Sequence, residues 1–348
     1  MTKLAISVLV PCYNGAKYIN RCFDSILGQN YDQELIKIIV INDGSTDNSL
    51  EILKQYQALH PTRIKIIDQE NKGLAVTRNL LVDSVDTEFF IFSDVDDYYL
   101  PNAFMHIVNA SQNGKSDIVT SRTYRIGING KKKIWWLSYF VKKHMQPIQY
   151  INSNMIWVWN TLYKTSFFRS TGFRWKKDCN LFEDTSMGHF VYPLAKHFSC
   201  CKKFTYCFTE NYNSMSNAQR LCKTNDFDFL QQVIKQFDWF IYTYKTSSKK
   251  NGNEDVFEAV INNVVYLYAM YLAGMFYVVP HRFYLPFRRK LSFKKEKNWR
   301  KAALLFVASL NKHGIELKKP TCWWKRISYF LETKHRFNPY IKLLSFEK

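Results

Sequence analysis

The sequence predicts an α/β fold: a mostly parallel sheet flanked by helices, followed by a C-terminal helical region. Three observations predict it. Short apolar, β-branched runs alternate with amphipathic stretches in the order β-α-β-α-β-α-β from residue 4 to residue 94. Turn formers (Pro, Gly, Asn, Asp, Ser) punctuate the runs. The fourth run, Phe89–Phe92, stops at three carboxylates, Asp94, Asp96 and Asp97. Alternation of this kind implies parallel strands joined by right-handed crossovers.

The elements follow in order. Ala5–Val10 (AISVLV) is continuously apolar, as a strand covered on both faces should be, and Pro11-Cys12-Tyr13-Asn14-Gly15 ends it. Its run is too short, and lacks the cleavage site, to be a signal peptide. Ile19, Cys22, Phe23, Ile26 and Leu27 recur at the spacing of one helical face. Ile36–Ile41 is the second strand, closed by Asn42-Asp43-Gly44-Ser45, and a helix carrying Leu50, Leu53 and Tyr56 follows. Ile64–Ile67 is the third strand. Asn71-Lys72-Gly73 leads into a helix containing Arg78 and Asn79. After Pro101 the pattern loosens. Asp117–Thr123 reads as another strand, Ser153–Tyr163 is Trp-rich, and Leu181-Phe182-Glu183-Asp184 precedes a helix through Ala195. Beyond residue 222 the chain reads helical, with Phe227–Tyr244 and Val256–Val279 as candidate helices. The expected division is residues 1–220 as a catalytic domain and 221–348 as a helical, basic and aromatic region.

Acids at the carboxyl end of a strand sit where α/β sheets bind ligands. Three so close repel one another unless a cation joins them, and oxygen ligands suit Mg²⁺ or Mn²⁺. Taken alone, the cluster also fits an acidic turn after a strand.

Four features stand in one order: Pro11-Cys12-Tyr13-Asn14, Asn42-Asp43-Gly44-Ser45, Asn71-x-Gly73 with Arg78-Asn79, and Asp94-x-Asp96-Asp97. A later Glu183-Asp184 follows an aromatic segment with Trp159-Asn160-x-x-Tyr163. Over roughly residues 4 to 216 the chain resembles the family-2 inverting glycosyltransferases, which have the Rossmann-like A-type nucleotide-diphosphosugar fold. The resemblance implies a donor site built from Pro11, Tyr13, Asn14, Asp43, Asn71, Gly73, Arg78 and Asp94. In it, Tyr13 and the backbone around Pro11 hold the base and ribose, Asp43 contacts the base, Arg78 lies near the nucleotide and Asp94 contacts the ribose. Asp96, with Asp94, binds a divalent metal (Mn²⁺ or Mg²⁺), and Asp97 either joins them or caps the next helix. Asp184 is the implied general base and Glu183 the acceptor-positioning residue. An ordinary aspartate, with a pKa of about 3.9, is ionised at neutral pH and so already able to accept a proton. One departure stands out: Glu210–Ser216, where the family carries a basic residue for the diphosphate, has no Arg or Lys before Arg220.

The formal net charge of +20 calls for an anionic partner: nucleic acid, an acidic membrane surface or phosphorylated substrates. No RNA-binding motif is present, so no nucleic acid is expected. Lys131–Lys143, His281–Lys290 and Lys294–Lys301 interleave bases with aromatics, which suits an anionic bilayer surface. Ala259–Pro280 reaches spanning length, yet Asn262, Asn263 and its tyrosines argue for a buried or interfacial helix. The eight cysteines include no C-x-x-C pair, and read as reduced thiols of a cytosolic compartment. The expectation is therefore a transferase at the inner membrane face, moving a sugar from a nucleotide sugar, UDP-linked, to a saccharide or lipid-linked acceptor in surface polysaccharide synthesis. Two rivals remain: a sugar nucleotidyltransferase, which would open with a Gly-rich loop after the first strand, and a non-catalytic basic membrane- or nucleic-acid-binding protein.

Overall fold

The computed structural model describes residues 3–134, 145–153, 156–177, 183–211 and 227–246, with short pieces at 260–261, 264, 305–306 and 308–315. The chain divides into two compact units, Met1–Tyr212 and Asn213–Lys348.

The first unit is built on one nine-stranded sheet of order β3-β2-β1-β4-β8-β6-β9-β5, with β7 paired to β6. Its first four strands are β1 (Ile6–Cys12), β2 (Ile36–Asp43), β3 (Ile64–Gln69) and β4 (Phe89–Phe92). They are all parallel, as the alternation predicts. Between them run α1 (Ala16–Leu27), α2 (Ser49–Leu59) and α3 (Leu74–Asp83). β1 and β4 are buried almost throughout because helices cover both sheet faces, which is why both read as unbroken apolar runs. The stripe Ile19, Cys22, Phe23 and Ile26 is the buried face of α1. Strand order runs outward from β1 to β3 and then returns to the other side of β1 for β4. Right-handed crossovers therefore place α3 on the face opposite α1 and α2. Accordingly α1 packs on α2, while α3 packs over β1 and β2.

Beyond β4 the sheet becomes mixed. β5 (Tyr98–Tyr99) leads to α4 (Ala103–Asn109), β6 (Ile118–Ile126) and β7 (Lys132–Ile134). α5 (Pro147–Ser153), β8 (Thr161–Lys164), α6 (Thr165–Ser170), α7 (Glu183–Val191) and β9 (Phe198–Thr209) follow. β8 lies antiparallel between β4 and β6, and β9 pairs parallel with β6 and antiparallel with β5. The helix expected after Glu183-Asp184 and through Ala195 starts earlier, with that pair in the first turn of α7, and gives way to a 3-10 turn over Tyr192–Leu194.

In the second unit α8 (Phe227–Thr246) buries Phe237, Phe240, Ile241 and Tyr244, and Phe237 meets the Phe306 ring at 4.9 Å. Among the described residues no helix is long and apolar enough to cross a membrane. Most of Lys131–Lys143, nearly all of Ala259–Pro280, and His281–Lys290 and Lys294–Lys301 lie outside the described residues, as do Leu181, Phe182 and Arg220.

Candidate active site

The order of strands reverses between β1 and β4, so the carboxyl ends of these two strands flank the crevice where open α/β sheets bind ligands. The loops after β1, β2 and β3 form one side of it. Tyr13, directly after β1, is 53% exposed, an aromatic face open to a ligand. Asn14 adopts φ 50°, and its side-chain oxygen accepts from Thr46 N at 2.8 Å while its own N–H donates to Ser45 Oγ at 2.9 Å. Gly15 N and Ala16 N donate to Ser49 Oγ and Asp47 Oδ2, so the loops after β1 and β2 are laced together. Asp43, buried at the end of β2, accepts from Gln69 Nε2 and Lys72 N through Oδ1 and from Gly73 N through Oδ2. Asp43 thereby shapes the Asn71–Gly73 turn. Gly73 sits at φ 84°, ψ 158°, a region essentially reserved for glycine, immediately before α3. Gly44 is equally constrained, since a Cβ there would meet Asn71 N at 2.6 Å.

The end of β4 has a different character. Ligand oxygens of Asp94, Asp96 and Asp97 all lie within 4.8 Å of one another. Burial and the neighbouring Asp94 push the Asp96 carboxyl up to about 7. Burial, with Asp96 and Asp94 beside it, raises Asp97 well above the carboxylate range. Asp97 accepts from Thr209 N at 2.7 Å through Oδ1, so it anchors the end of β9. It does not cap α4, whose cap position is Asn102. Its other oxygen is buried and has no hydrogen-bond partner of good geometry among the described residues. The Tyr206 hydroxyl also donates to this carboxyl. Three hard oxygen ligands this close, one with an oxygen lacking a well-formed bond, are the arrangement a divalent cation completes, so these residues fit one.

The acids expected to do the chemistry lie across from this cluster on the first turn of α7. Glu183 and Asp184 are joined to it by Arg78 of α3, the only buried Lys or Arg among the described residues. Arg78 Nη1 donates to Asp184 Oδ1 at 2.8 Å and to Glu183 Oε1 at 3.1 Å, and Nη2 lies 3.6 Å from Asp94 Oδ1. Burial raises the pKa of Asp184 and of Glu183, and Arg78 opposes the rise. Asp184 is thus not the ordinary aspartate assumed from the sequence. It holds its proton to higher pH, because it is buried beside Glu183 and Asp94 with one guanidinium shared among the three.

Of the residues expected to hold the donor, the structure places Pro11 and Asp43 at the ends of β1 and β2 and Tyr13, Asn14, Asn71 and Gly73 on the adjoining loops, and it brings Arg78, Asp94, Glu183 and Asp184 into one ionic cluster. Sequence reasoning missed several neighbours. Arg21 Nη2 donates to Asp96 O at 2.5 Å and to Thr209 Oγ1 at 3.2 Å, with its guanidinium over the Tyr98 ring. Tyr206 Oη accepts from Asp94 N at 3.1 Å, and Asn211 Nδ2 donates to Asp96 Oδ2. Arg21 stands off the apolar stripe of α1 and reads as a solvated helix residue; no local signal marks it. Trp159, singled out in the aromatic segment, stacks between Trp157 and Tyr206 at 5.3 and 5.0 Å, and Asn160 is tied to Ser121 O at 2.7 Å.

The crevice at the switch point is thus bordered by the loops after β1, β2 and β3, by metal-spaced acids and by a separate acidic pair. Residues 7–172 match the family model Glycosyl transferase family 2. The chain is 32% identical over 186 residues to a processive diacylglycerol beta-glycosyltransferase of Mycoplasma pneumoniae, covering 49% of this chain and 53% of that protein. It is 27% identical over 208 residues to a poly(ribitol-phosphate) beta-glucosyltransferase of Bacillus spizizenii, covering 59% of this chain and 32% of that one. The chain therefore spans about half the length of the first of these relatives and about a third of the second. The crystal structure of S. aureus TarS 1-349 in complex with UDP-GlcNAc superposes with TM-score 0.69 at 16% identity, covering 97% of this chain and 89% of that one. That likeness is one of fold. The chain carries a family-2 glycosyltransferase domain of the A-type fold.

Proposed function

We propose that the protein is a metal-dependent inverting glycosyltransferase that moves a sugar from a UDP-linked donor to a saccharide or lipid-linked acceptor in surface polysaccharide synthesis. The observation that carries the reading is the pairing of two acid groups: a metal-spaced set at the end of β4 and a second pair, Glu183 and Asp184, across Arg78. Direct displacement at C1 requires the leaving diphosphate and the deprotonating base on opposite sides of the sugar, and two separated acid groups meet that demand.

In this reading Tyr13 stacks on the base, the backbone at Pro11 and the Asn14 loop border the ribose, and Asp43 keeps the Asn71–Gly73 turn in shape while presenting its remaining lone pairs. Arg78 borders the donor through its Nε, which is buried and has no hydrogen-bond partner among the described residues. Asp94 and Asp96 would hold the divalent ion, Mn²⁺ or Mg²⁺, with Asp97 beside them. Bound there, the ion neutralises the leaving diphosphate as a Lewis acid. Glu183 orients the acceptor, and Asp184 takes the proton from its attacking hydroxyl. One displacement on an α-linked donor gives a β-glycoside. Support comes from the relatives' names, both of which specify beta transfer, and from the nucleotide sugar held by TarS. The basic strand Lys132–Ile134, each residue of which is exposed, is in keeping with a peripheral seat on an anionic inner membrane face.

The test is a panel of nucleotide sugars, read first by thermal shift and then by release of nucleoside diphosphate, with the product anomer determined by NMR. A UDP-sugar that stabilises the protein and yields a β-linked product supports the reading. A retained α-anomer, or no stabilisation by any nucleotide sugar, contradicts it. For the membrane part, wild type should bind anionic vesicles at low salt and be partly released as salt screens the charges; indifference to such vesicles removes that part.

A further inference from the structure

Arg78 has a second duty that its place near a nucleotide does not require. It is 2% exposed and comes from α3, on the donor side of the crevice, yet both its hydrogen bonds of ordinary length go to α7, more than a hundred residues later. The 2.8 Å contact is to Asp184, the proposed base, and the 3.1 Å contact to Glu183 shares the same Nη1. The contact to Asp94, at 3.6 Å, is the loosest of the three. No other Lys or Arg among the described residues pairs with Glu183 or Asp184. At this point one guanidinium links the first turn of α7 to Asp94 after β4, and the Val158 backbone N–H gives Asp184 a second contact.

We propose that Arg78 is a positioning residue for the base: its Nη1 holds the carboxyl groups of Glu183 and Asp184 at the acceptor side of the crevice, while Nη2 ties that placement to Asp94 on the donor side. The inference rests on the reading of the site as a glycosyltransferase centre. Geometry supplies the reason why a lysine is no substitute. A guanidinium offers donors in a planar fork and can meet Asp94 with one nitrogen and the pair on α7 with the other; an ammonium is a single point of charge. A cation at Asp94 would compete with the 3.6 Å contact and not with the two shorter bonds to α7. Donor-site filling therefore leaves the base held rather than released.

A double-mutant cycle on kcat tests this, at saturating donor and acceptor and with folding checked by circular dichroism. Wild-type transfer must be measurable first; if it is absent with every donor, the glycosyltransferase reading fails, and not this inference. Arg78→Lys should fold and lower kcat by about 100-fold, the scale of an ångström-sized misplacement of a reacting group. Asp184→Asn should lower it by about 10²–10⁴-fold. Because Arg78 acts through Asp184, the double variant should be no slower than Asp184→Asn alone, within about threefold. A merely structural role, or a direct role on the diphosphate, gives losses that multiply, and multiplication overturns the proposal. Should Arg78→Lys not fold, the same cycle is run in a Glu183→Gln background with Arg78→Gln, which removes one buried charge of each sign.

Discussion

Asp43 and Asp97 are both buried aspartates at the carboxyl ends of parallel-sheet elements, and their surroundings are opposite. Both oxygens of Asp43 accept from N–H groups of Gln69, Lys72 and Gly73. Asp97 has one oxygen on Thr209 N, the Tyr206 hydroxyl as a further donor to the carboxyl, and two more carboxyls beside it. The same contrast separates the two regions they belong to. The loops after β1, β2 and β3 are laced to one another by hydrogen bonds within the protein. The end of β4 and the start of α7 gather five carboxyl groups around one buried arginine, and carry an excess of negative character that only a positive partner relieves. A donor site can be pre-shaped by hydrogen bonds within the protein, whereas a site for a cation has to be left electrostatically incomplete.

The largest expected effect falls in the second region. Asp184→Asn keeps the shape and removes the proton acceptor, so turnover should fall by about 10²–10⁴-fold while nucleotide-sugar binding stays near normal. Loss of donor binding instead would move Asp184 into the donor region and erase the contrast.

Next comes the loop held by Asp43. Gly73→Ala forces a Cβ into φ 84°, ψ 158° and should cost about 1–3 kcal/mol in chemical denaturation. Asp43→Ala leaves the Lys72 and Gly73 N–H groups without their acceptor and should cost about 1–3 kcal/mol as well. Either variant should weaken donor binding through loop shape; unchanged stability in both would show that the turn does not depend on these contacts.

A third effect sharpens the electrostatic side. The folded-state pKa of Asp96, about 7, lies above its unfolded value, about 3.9. Between these values the folded protein binds a proton that the unfolded chain releases, so this group favours folding at low pH and the benefit disappears as pH rises through 7. The denaturation midpoint of metal-free protein should therefore fall from pH 5 to pH 8, and saturating Mn²⁺ should raise it more at pH 8 than at pH 5. A midpoint that ignores both pH and Mn²⁺ would show that the acids are not held in excess. The smallest effect is expected for Asn14→Ala, which removes the acceptor for Thr46 N on an exposed loop, at about 1 kcal/mol.

The same division explains what the sequence made legible. The parallel half was readable because β1, β2 and β4 are apolar on both faces and the α1 stripe keeps helical spacing. The acids Asp94, Asp96 and Asp97 were readable because they end such a run. β9 was not: Lys202 and Lys203 interrupt it, and a register shift against β6 breaks the alternation that marks a strand. The bridge from Arg78 to Glu183 and Asp184 was not legible either, since it joins residues far apart in sequence and each looks like an ordinary charged helix residue. Arg21 escaped for the same reason. Local pattern reports burial, and these contacts depend on which elements the sheet brings together.

The central claim is that the carboxyl groups at the end of β4 hold a divalent cation required for sugar transfer. The most direct measurement is release of UDP from a UDP-sugar that binds, assayed for wild type and Asp96→Asn with Mn²⁺ and with excess chelator. Release by wild type should require the cation, and Asp96→Asn should lose it by about 10³-fold or more even with Mn²⁺ present, the scale of several kcal/mol of metal-derived stabilisation. Undiminished release in chelator, or full activity of Asp96→Asn, would contradict the account.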